Sequence, residues 1–422
     1  MTQEESTWRQ NILFHKPYRV HSILYFIYIL QGLLYSSGDS LVNGWHVLLT
    51  TPDILVSDAI ALGGLGAALV NVGCVGLLAL GVMKIAGVEL KGLALGTLGL
   101  ATGFAFLGKN PLNILPIILG GYLYSKYKQA PFKDYALVAI LSSCLAPVVT
   151  QLLHFPQLSF PVAISCGLAL GIAVGFIMPP LATTVRQLHH GYNLYNVGFA
   201  AGFLGVLIYT LWCNMGLKFT PASIWSSDCH QELAIFLGVL SCYYLLCAWG
   251  AGDAKFTLRD IIFTDKLHSN YGTLPYSLIY TNMGFLGLSC LLLVMMLKGT
   301  LCGPVMSSIL AVVGFAAAGK SITSGAPVVA GVFLAAGVSN LVLPTPLFSS
   351  SVLSAAFFAT ALSPLCRRYG PFWGVVAGYL HLTLATNITS FHGGLNLYNN
   401  GFAAGLAAML LLPIIQACYH EP

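Results

Sequence analysis

The sequence predicts an all-α polytopic membrane protein made of two inverted repeats, each of about seven helical segments. Composition supplies the first reason. Of 422 residues, 57% are hydrophobic and only 7% charged, with a mean hydropathy of +0.81, whereas a soluble chain carries about 25% charged residues. An internal duplication supplies the second. Residues 193–202 (NLYNVGFAAG) and 396–405 (NLYNNGFAAG) agree at nine of ten positions, 203 residues apart, and the match extends to His189/His392, Gly191/Gly394 and Thr183/Thr386. A self-match at half the chain length marks a duplicated unit; in a membrane chain it points to two halves meeting around a central site. The third is the odd number of apolar runs per half, which turns the second copy over in the membrane.

Taken in order, the polar stretch 1–19 is followed by no A-x-A-like cleavage site. It reads as a cytoplasmic segment ahead of an uncleaved first helix. Apolar runs long enough to cross or enter a bilayer fall near 20–36, 59–83, 92–107, 112–125, 135–153, 159–182 and 193–212, making repeat one (20–212). A polar linker, 213–231, precedes repeat two (232–417), with runs near 232–250, 274–297, 301–318, 326–343, 351–365, 371–388 and 396–417. The 45 glycines suit helices packed through small side chains. The 11 cysteines include no C-x-x-C pair and sit mostly in apolar runs, so they read as small hydrophobes, implying neither disulfides, metal nor cofactor. A net charge of +5 is too small and dispersed for a nucleic-acid partner.

With the N-terminus inside, fifteen of the 18 basic residues fall in alternate connections, and only Lys109, Lys218 and Lys298 fall in the others. This bias predicts both termini in the cytoplasm. Residues 103–123 also match 314–334, sharing Gly103/Gly314, Gly108/Gly319, Lys109/Lys320, Pro116/Pro327 and Gly120/Gly331, and Asn71-Val-Gly matches Asn282-Met-Gly at the same offset of 211. Gly171 and Gly175 match Gly374 and Gly378 at the offset of 203. In this topology Lys109 lies outside and Lys320 inside, so no positive-inside signal retains both.

The runs flanking Gly108-Lys109-Asn110-Pro111 are short. A helix of about 16 residues is about 24 Å long, less than the roughly 30 Å hydrocarbon core. The segments either span, giving seven crossings per half, or form a re-entrant hairpin beside five spanning helices. Non-helical backbone at such depth must be buried in protein or line a cavity. Asn110-Pro111 and Ser321 suit helix starts. Free N–H groups at two helix N-termini, each beside an ammonium, attract an anion or a strong acceptor. Lys109, Asn110, Lys320 and Ser321 are therefore candidate substrate ligands. The alternative is that each lysine snorkels to an interface.

Asn193 and Asn196 share a helix face, as do Asn396 and Asn399. With Tyr195 and Tyr398 they are candidates to replace a solute's hydration shell. The alternative is interhelical hydrogen bonding, with Gly198/Gly202 and Gly401/Gly405 as flat packing faces. His189 and His392 are candidates for a proton relay, against a plain hydrogen-bonded role. All 13 acidic residues lie in connections or at run ends, which argues against a buried-carboxylate ion site. Asp39 and Asp253 read as helix-end caps or as counter-charges to the lysines.

The segments HHGYNLYNVGFAAG, FHGGLNLYNNGFAAG and GKNPLNILPIILGGYLYS resemble a domain-of-unknown-function family of bacterial polytopic membrane proteins, chiefly from Firmicutes. The resemblance spans the chain and implies a bacterial inner membrane. A fainter likeness is to urea-transporter proteins, which have two inverted five-helix halves and a Gly-Tyr-Asn element opening a helix. The chain lacks their Leu-Pro-Phe-Asn motif, so that likeness is one of architecture. The expected function is transport of a small polar or anionic solute through a site at the repeat interface near the midplane. The alternative is a passive solute channel of urea-channel-like architecture. An assembly protein would account for the packing motifs but not for the repeated lysine. No enzyme is expected, because neither H-E-x-x-H nor grouped carboxylates occur. The expected partners are the lipid bilayer, a small-molecule solute and, with the oligomeric state open, a second copy of the chain.

Overall fold

Each of the apolar runs becomes helix in the computed structural model, which describes residues 16–252, 257–262, 274–342 and 346–419. Repeat one comprises α1 (Pro17–Leu34), α2 (Gly38–Thr50), α3 (Ala59–Ala86), α4 (Leu93–Ala105), α5 (Pro111–Tyr127), α6 (Ala136–Ser142), α7 (Pro147–Thr150), α8 (Phe160–Leu188) and α9 (Asn196–Asn214). Repeat two comprises α10 (His230–Ala251), α11 (Leu258–Ile262), α12 (Tyr276–Met296), α13 (Gly303–Ala316), α14 (Ile322–Asn340), α15 (Ser350–Ala359), α16 (Ser363–Tyr369), α17 (Pro371–Ile388) and α18 (Asn399–Tyr419). Among the described residues, seven helices are long and apolar enough to cross a bilayer, or nine if each of two bent pairs counts as one span. The protein is a multi-pass helical membrane protein.

Helices α4 and α13 have 13 and 14 residues, about 20 Å each, and are too short to cross. Seven full crossings per half therefore do not form, and each half carries a hairpin with a short first arm, α4–α5 and α13–α14. At the tips Gly108 (φ 98°) and Gly319 (φ 82°) make left-handed turns that a side chain would strain. Asn71 of α3 clamps the first tip, its Nδ2 donating to the carbonyls of Ala105 at 3.0 Å and Lys109 at 2.8 Å. Asn282 of α12 does the same for Ala316 at 2.9 Å and Lys320 at 2.8 Å. These bonds satisfy carbonyls that would otherwise be stranded away from water.

Small residues set the helix crossings. Between repeats, α4 meets α13 where a Cβ on Gly99 would lie 2.8 Å from the Cα of Gly314, and α9 meets α18 where a Cβ on Gly198 would lie 3.0 Å from the Cα of Gly401. Phe402 covers Gly202, and Phe199 covers Gly405. Within repeats, α5 crosses α8 at Gly120 and Gly175, and α14 crosses α17 at Gly331 and Gly378; a methyl on any of the four would overlap a backbone carbonyl. The repeated glycines are thus points of backbone contact.

Three features depart from the sequence expectation. Helix α2 is additional and turns 119° from α1. Its first turn holds Asp39, where a carboxylate suits the helix dipole; Asp253 lies outside the described residues. The runs 135–153 and 351–365 break into tight turns, Ser143–Leu145 and Thr360–Leu362, just before Pro147 and Pro364, because proline cannot continue the bonded ladder. The connection 51–58 is also interior, with Asp53 and Asp58 buried. Leu55 donates its N–H to Gly394 at 2.9 Å and Val56 to Ala222 at 2.7 Å, while Ile224 donates to Val56 at 2.9 Å. The Asp58 carboxylate caps α3 through Ile60 N–H at 2.9 Å and accepts from Ser226 at 2.9 Å and Gly303 at 3.0 Å, tying both repeats to the linker.

Candidate functional site

The NLYN segments are held by a network that repeats bond for bond. His189 Nδ1 accepts the Asn193 N–H at 3.4 Å, so its proton sits on Nε2, which donates to Asn196 Oδ1 at 2.9 Å. Asn196 Nδ2 then donates to Ala182 O at 2.8 Å. In the second repeat His392, Asn396, Asn399 and Ala385 reproduce these contacts at 3.4, 3.0 and 3.0 Å. Both ring nitrogens of each histidine are thus hydrogen-bonded within their own repeat.

Asn193 and Asn396 join the two halves. Asn193 Oδ1 accepts Tyr195 N–H at 2.8 Å, and its Nδ2 donates to Gly401 O at 3.2 Å. Asn396 takes Tyr398 N–H at 3.0 Å and reaches Gly198 O at 3.2 Å. All four asparagines face protein. Only Asn193 and Asn396 cross the repeat boundary, while Asn196 and Asn399 brace their own halves.

These braces aim the two tyrosines at one another. The rings of Tyr195 and Tyr398 lie 4.9 Å apart, Tyr195 meets Phe315 edge-on at 5.1 Å, and Tyr398 meets Phe104 edge-on at 4.9 Å. Each hairpin tip brings its lysine to this cluster. Lys320 is buried, and its Nζ donates to Thr360 Oγ1 at 2.8 Å and Tyr195 OH at 3.1 Å, over the ring of Phe315 at 5.5 Å. Lys109 is equally buried but differently placed. Its Nζ has no hydrogen-bond partner among the described residues, nor does Tyr398 OH, and the Phe104 ring is 5.9 Å away. The hydroxyl equivalent to Thr360 is that of Ser143. Leu194 N–H donates to Ala361 O at 3.1 Å and Leu397 N–H to Cys144 O at 2.9 Å, which puts the two turns in register. Lys109 and Tyr398 thus occupy positions equivalent to the bonded Lys320 and Tyr195, without a side-chain bond of their own among the described residues.

The other tip candidates act locally. Asn110 Oδ1 accepts from the N–H groups of Leu112 at 3.0 Å and Asn113 at 3.1 Å, and Ser321 Oγ accepts from Ser324 N–H at 3.4 Å. The helix N-termini are therefore capped by their own side chains, not left with free N–H groups as the sequence reading had it. Beside the first tip, Asp53 packs on Gly108 and accepts from Thr150 Oγ1 and from Asn113 Nδ2, the latter at 3.1 Å. The sequence reading placed Asp53 in a connection and gave it no role; the signal for its burial was the apolar triplet Ile54-Leu55-Val56 inside a nominal surface loop. Among the described residues no three His, Cys, Asp or Glu side chains group to hold a metal.

Cavities approach the cluster from opposite ends of α17. One, of about 320 Å³, is lined by Val56, Leu107, Trp225, Phe358, Thr389 and Asn400. Its Phe358 packs on both tyrosines, at 6.2 and 6.4 Å. The other, of about 370 Å³, lies before the start of α17 and is lined by His190, Gly191, Tyr192, Pro364, Arg367 and Arg368. A narrow crevice lined by Pro364 and Arg367 also reaches Lys320, Ser324 and Ser363.

No curated protein and no solved structure matches the chain. A family model does, over residues 37–214 and 258–417, the two stretches that carry the repeated hairpins and NLYN segments. With most of both repeats matched, the chain belongs to the family described as Protein of unknown function (DUF1576).

Proposed function

We propose that this protein is a membrane transporter for a small polar or anionic solute, and not an enzyme. Lys109, Tyr398 and Ser143 on one side, and Lys320, Tyr195 and Thr360 on the other, form two alternative halves of one site. The carrying observation is the inequality of the two lysines. An uncompensated charge deep in a bilayer costs about 2.5–3.5 kcal/mol on insertion scales, and such a cost persists where water or a solute offsets it. Lys320 is satisfied by the protein itself, while Lys109 and Tyr398 each present a buried donor with no partner among the described residues. A solute acceptor on Lys109, followed by transfer of bonding to Lys320, would exchange the roles of the two halves.

Two features support inverted repeats with alternating access. Helix α8 ends at Leu188, two residues before His190 of the Arg367 cavity, whereas its copy α17 begins near that cavity and ends at Ile388, between Thr386 and Thr389 of the other cavity. The packed tyrosines and their flanking phenylalanines fill the centre, which favours a carrier over a passive channel with a continuous path. The basic-residue bias supports both termini in the cytoplasm of a bacterial inner membrane.

Purified protein in proteoliposomes, screened for solute uptake with and without ion gradients, tests the reading. Lys109→Gln and Lys320→Gln should each abolish most flux, and Lys→Arg should not restore it, since a planar fork does not replace a compact ammonium. Full flux in the double Gln variant would overturn the proposal.

A further inference from the structure

We infer that Asp53 is a proton-binding site, and that the solute moves together with a proton held there. The inference rests on the transport reading above and deepens it by naming the ion that drives the cycle.

Asp53 is 1% exposed, and its two carboxylate oxygens accept from neutral groups, Thr150 Oγ1 on one and Asn113 Nδ2, at 3.1 Å, on the other. The Asn113 amide has one orientation, because its oxygen accepts the Asn110 N–H at 2.9 Å and only Nδ2 is left to face Asp53. These partners are donors, whereas hard cations such as magnesium or calcium take about six oxygen ligands or more. A proton needs a single acceptor. Thr150 serves both states of the acid. Its hydroxyl donates to the carboxylate, and it also stands 3.5 Å from Ala146 O, to which it turns when the neutral acid donates to Oγ1. Burial away from a cation disfavours the charged form and pushes the Asp53 carboxyl up to about 7. A mere strut would be an amide, which fills the same place without burying an ionisable group.

The other titratable groups nearby are accounted for. Asp39 and His46 of α2, His154 after α7, and Lys218 and Asp228 of the linker are exposed. His392, close to the Gly394 that binds Leu55, is held by Asn396 and Asn399, and Asp58 by three N–H groups. Cys144 lies just before α7 as a buried thiol. Lys109 remains. The Asp53 side chain packs on Gly108, the residue before Lys109, and the Lys109 ammonium has no hydrogen-bond partner among the described residues. The two charges therefore compensate through the field and not through a bond. When Asp53 takes a proton, Lys109 loses that compensation and its demand for a solute acceptor rises. Proton and solute then load the tip together, which is symport. The cavity of about 320 Å³ is lined by Leu55, two residues from Asp53, and by Leu107, next to Gly108. It brings open space up to both segments that hold the carboxyl, and the proton comes from water there.

The test uses full-length protein reconstituted in phosphatidylcholine vesicles. Infrared difference spectra are taken from about pH 4, where ordinary carboxyls titrate, to about pH 9. A carboxylic-acid carbonyl band should fade with a midpoint of about 7 and be missing in Asp53→Asn. Thr150→Val should move the midpoint up, because the lost bond favours the charged form more than the neutral one. Unfolding would instead bring it down to the ordinary value, which separates the two causes. Uptake of urea, glycerol, free glycine and phosphate is then followed with acid outside and the membrane potential clamped by valinomycin and potassium. One proton per solute accumulates the transported probe up to about tenfold per pH unit, and Asp53→Asn should lose that response. No Asp53-dependent band in this range, or uptake indifferent to the proton gradient, would overturn the coupling while leaving transport standing. A gradient response kept in Asp53→Asn would also overturn it. No flux of any probe above protein-free vesicles would overturn the transport reading, and the coupling with it.

Discussion

Tyr195 and Tyr398 occupy equivalent positions and pack against one another at a tilt of 39°, yet among the described residues only Tyr195 carries a bond to an ammonium. Hydrogen bonds to charged groups contribute about 1.5–3 kcal/mol net. Tyr195→Phe should therefore lower the thermal stability of the detergent-solubilised protein by about that amount. Tyr398→Phe should leave the melting curve almost unchanged while still lowering flux. Equal destabilisation by the two would mean that Lys109 and Lys320 are bonded alike. Asn71→Ala and Asn282→Ala each strip two tip carbonyls of their donor, and stranding buried polar groups costs about 1–3 kcal/mol; a melt unchanged in both would remove the clamp. Of these residues, the lysines, the tyrosines and the Asn71/Asn282 match were legible as repeated letters. The partnership of Lys320 with Thr360 was not. The repeat offset slips from 211 at the tips to 217 at the turns, so Ser143 and Thr360 never align with the lysines they accompany, and they share only a hydroxyl.

At the scale of elements, apolar runs forecast helices well because lipid-facing and core-facing positions alike are apolar in this fold. The same uniformity hid where helices break, since 135–153 and 351–365 stay apolar through Pro147 and Pro364. Helix α2 was missed for the opposite reason: Asp39, Asn43 and His46 interrupt its apolar residues. The repeated glycines allow a direct comparison. Gly175→Ala and Gly378→Ala push a methyl into backbone, where overpacking costs about 1–3 kcal/mol, whereas Gly238 of α10 faces open space. Gly238→Ala should hold or slightly raise the melting temperature, since alanine is the better helix former. A similar loss at all three sites would show that the crossings at α5–α8 and α14–α17 are not close contacts.

For the whole molecule, opposite orientation of the repeats is open to labelling. Ser159 precedes α8 and Ser349 precedes α15. In a cysteine-free background, Ser159→Cys and Ser349→Cys should react with an impermeant maleimide from outside intact cells, and Arg368→Cys only after permeabilisation. Labelling of Ser159→Cys and Arg368→Cys from one side would defeat the inverted arrangement.

The amide of Asn193 finds its acceptor on Gly401, 208 residues later in the chain. Ribosomes add about 5–20 residues per second, so about 10–40 s pass between the two. During that time the first repeat sits in or beside the bilayer with an unanswered amide and the small-residue face of α9 uncovered. Its most similar available surface is the same face on another nascent chain. A chain stopped before α10 should therefore pair with itself, and Val206→Cys, one turn beyond Gly202 on the same face, should cross-link such a truncation to a dimer while the full-length chain does not. Self-pairing of that kind is also the state from which a duplicated gene begins, two identical units already fitted face to face before one polypeptide joined them.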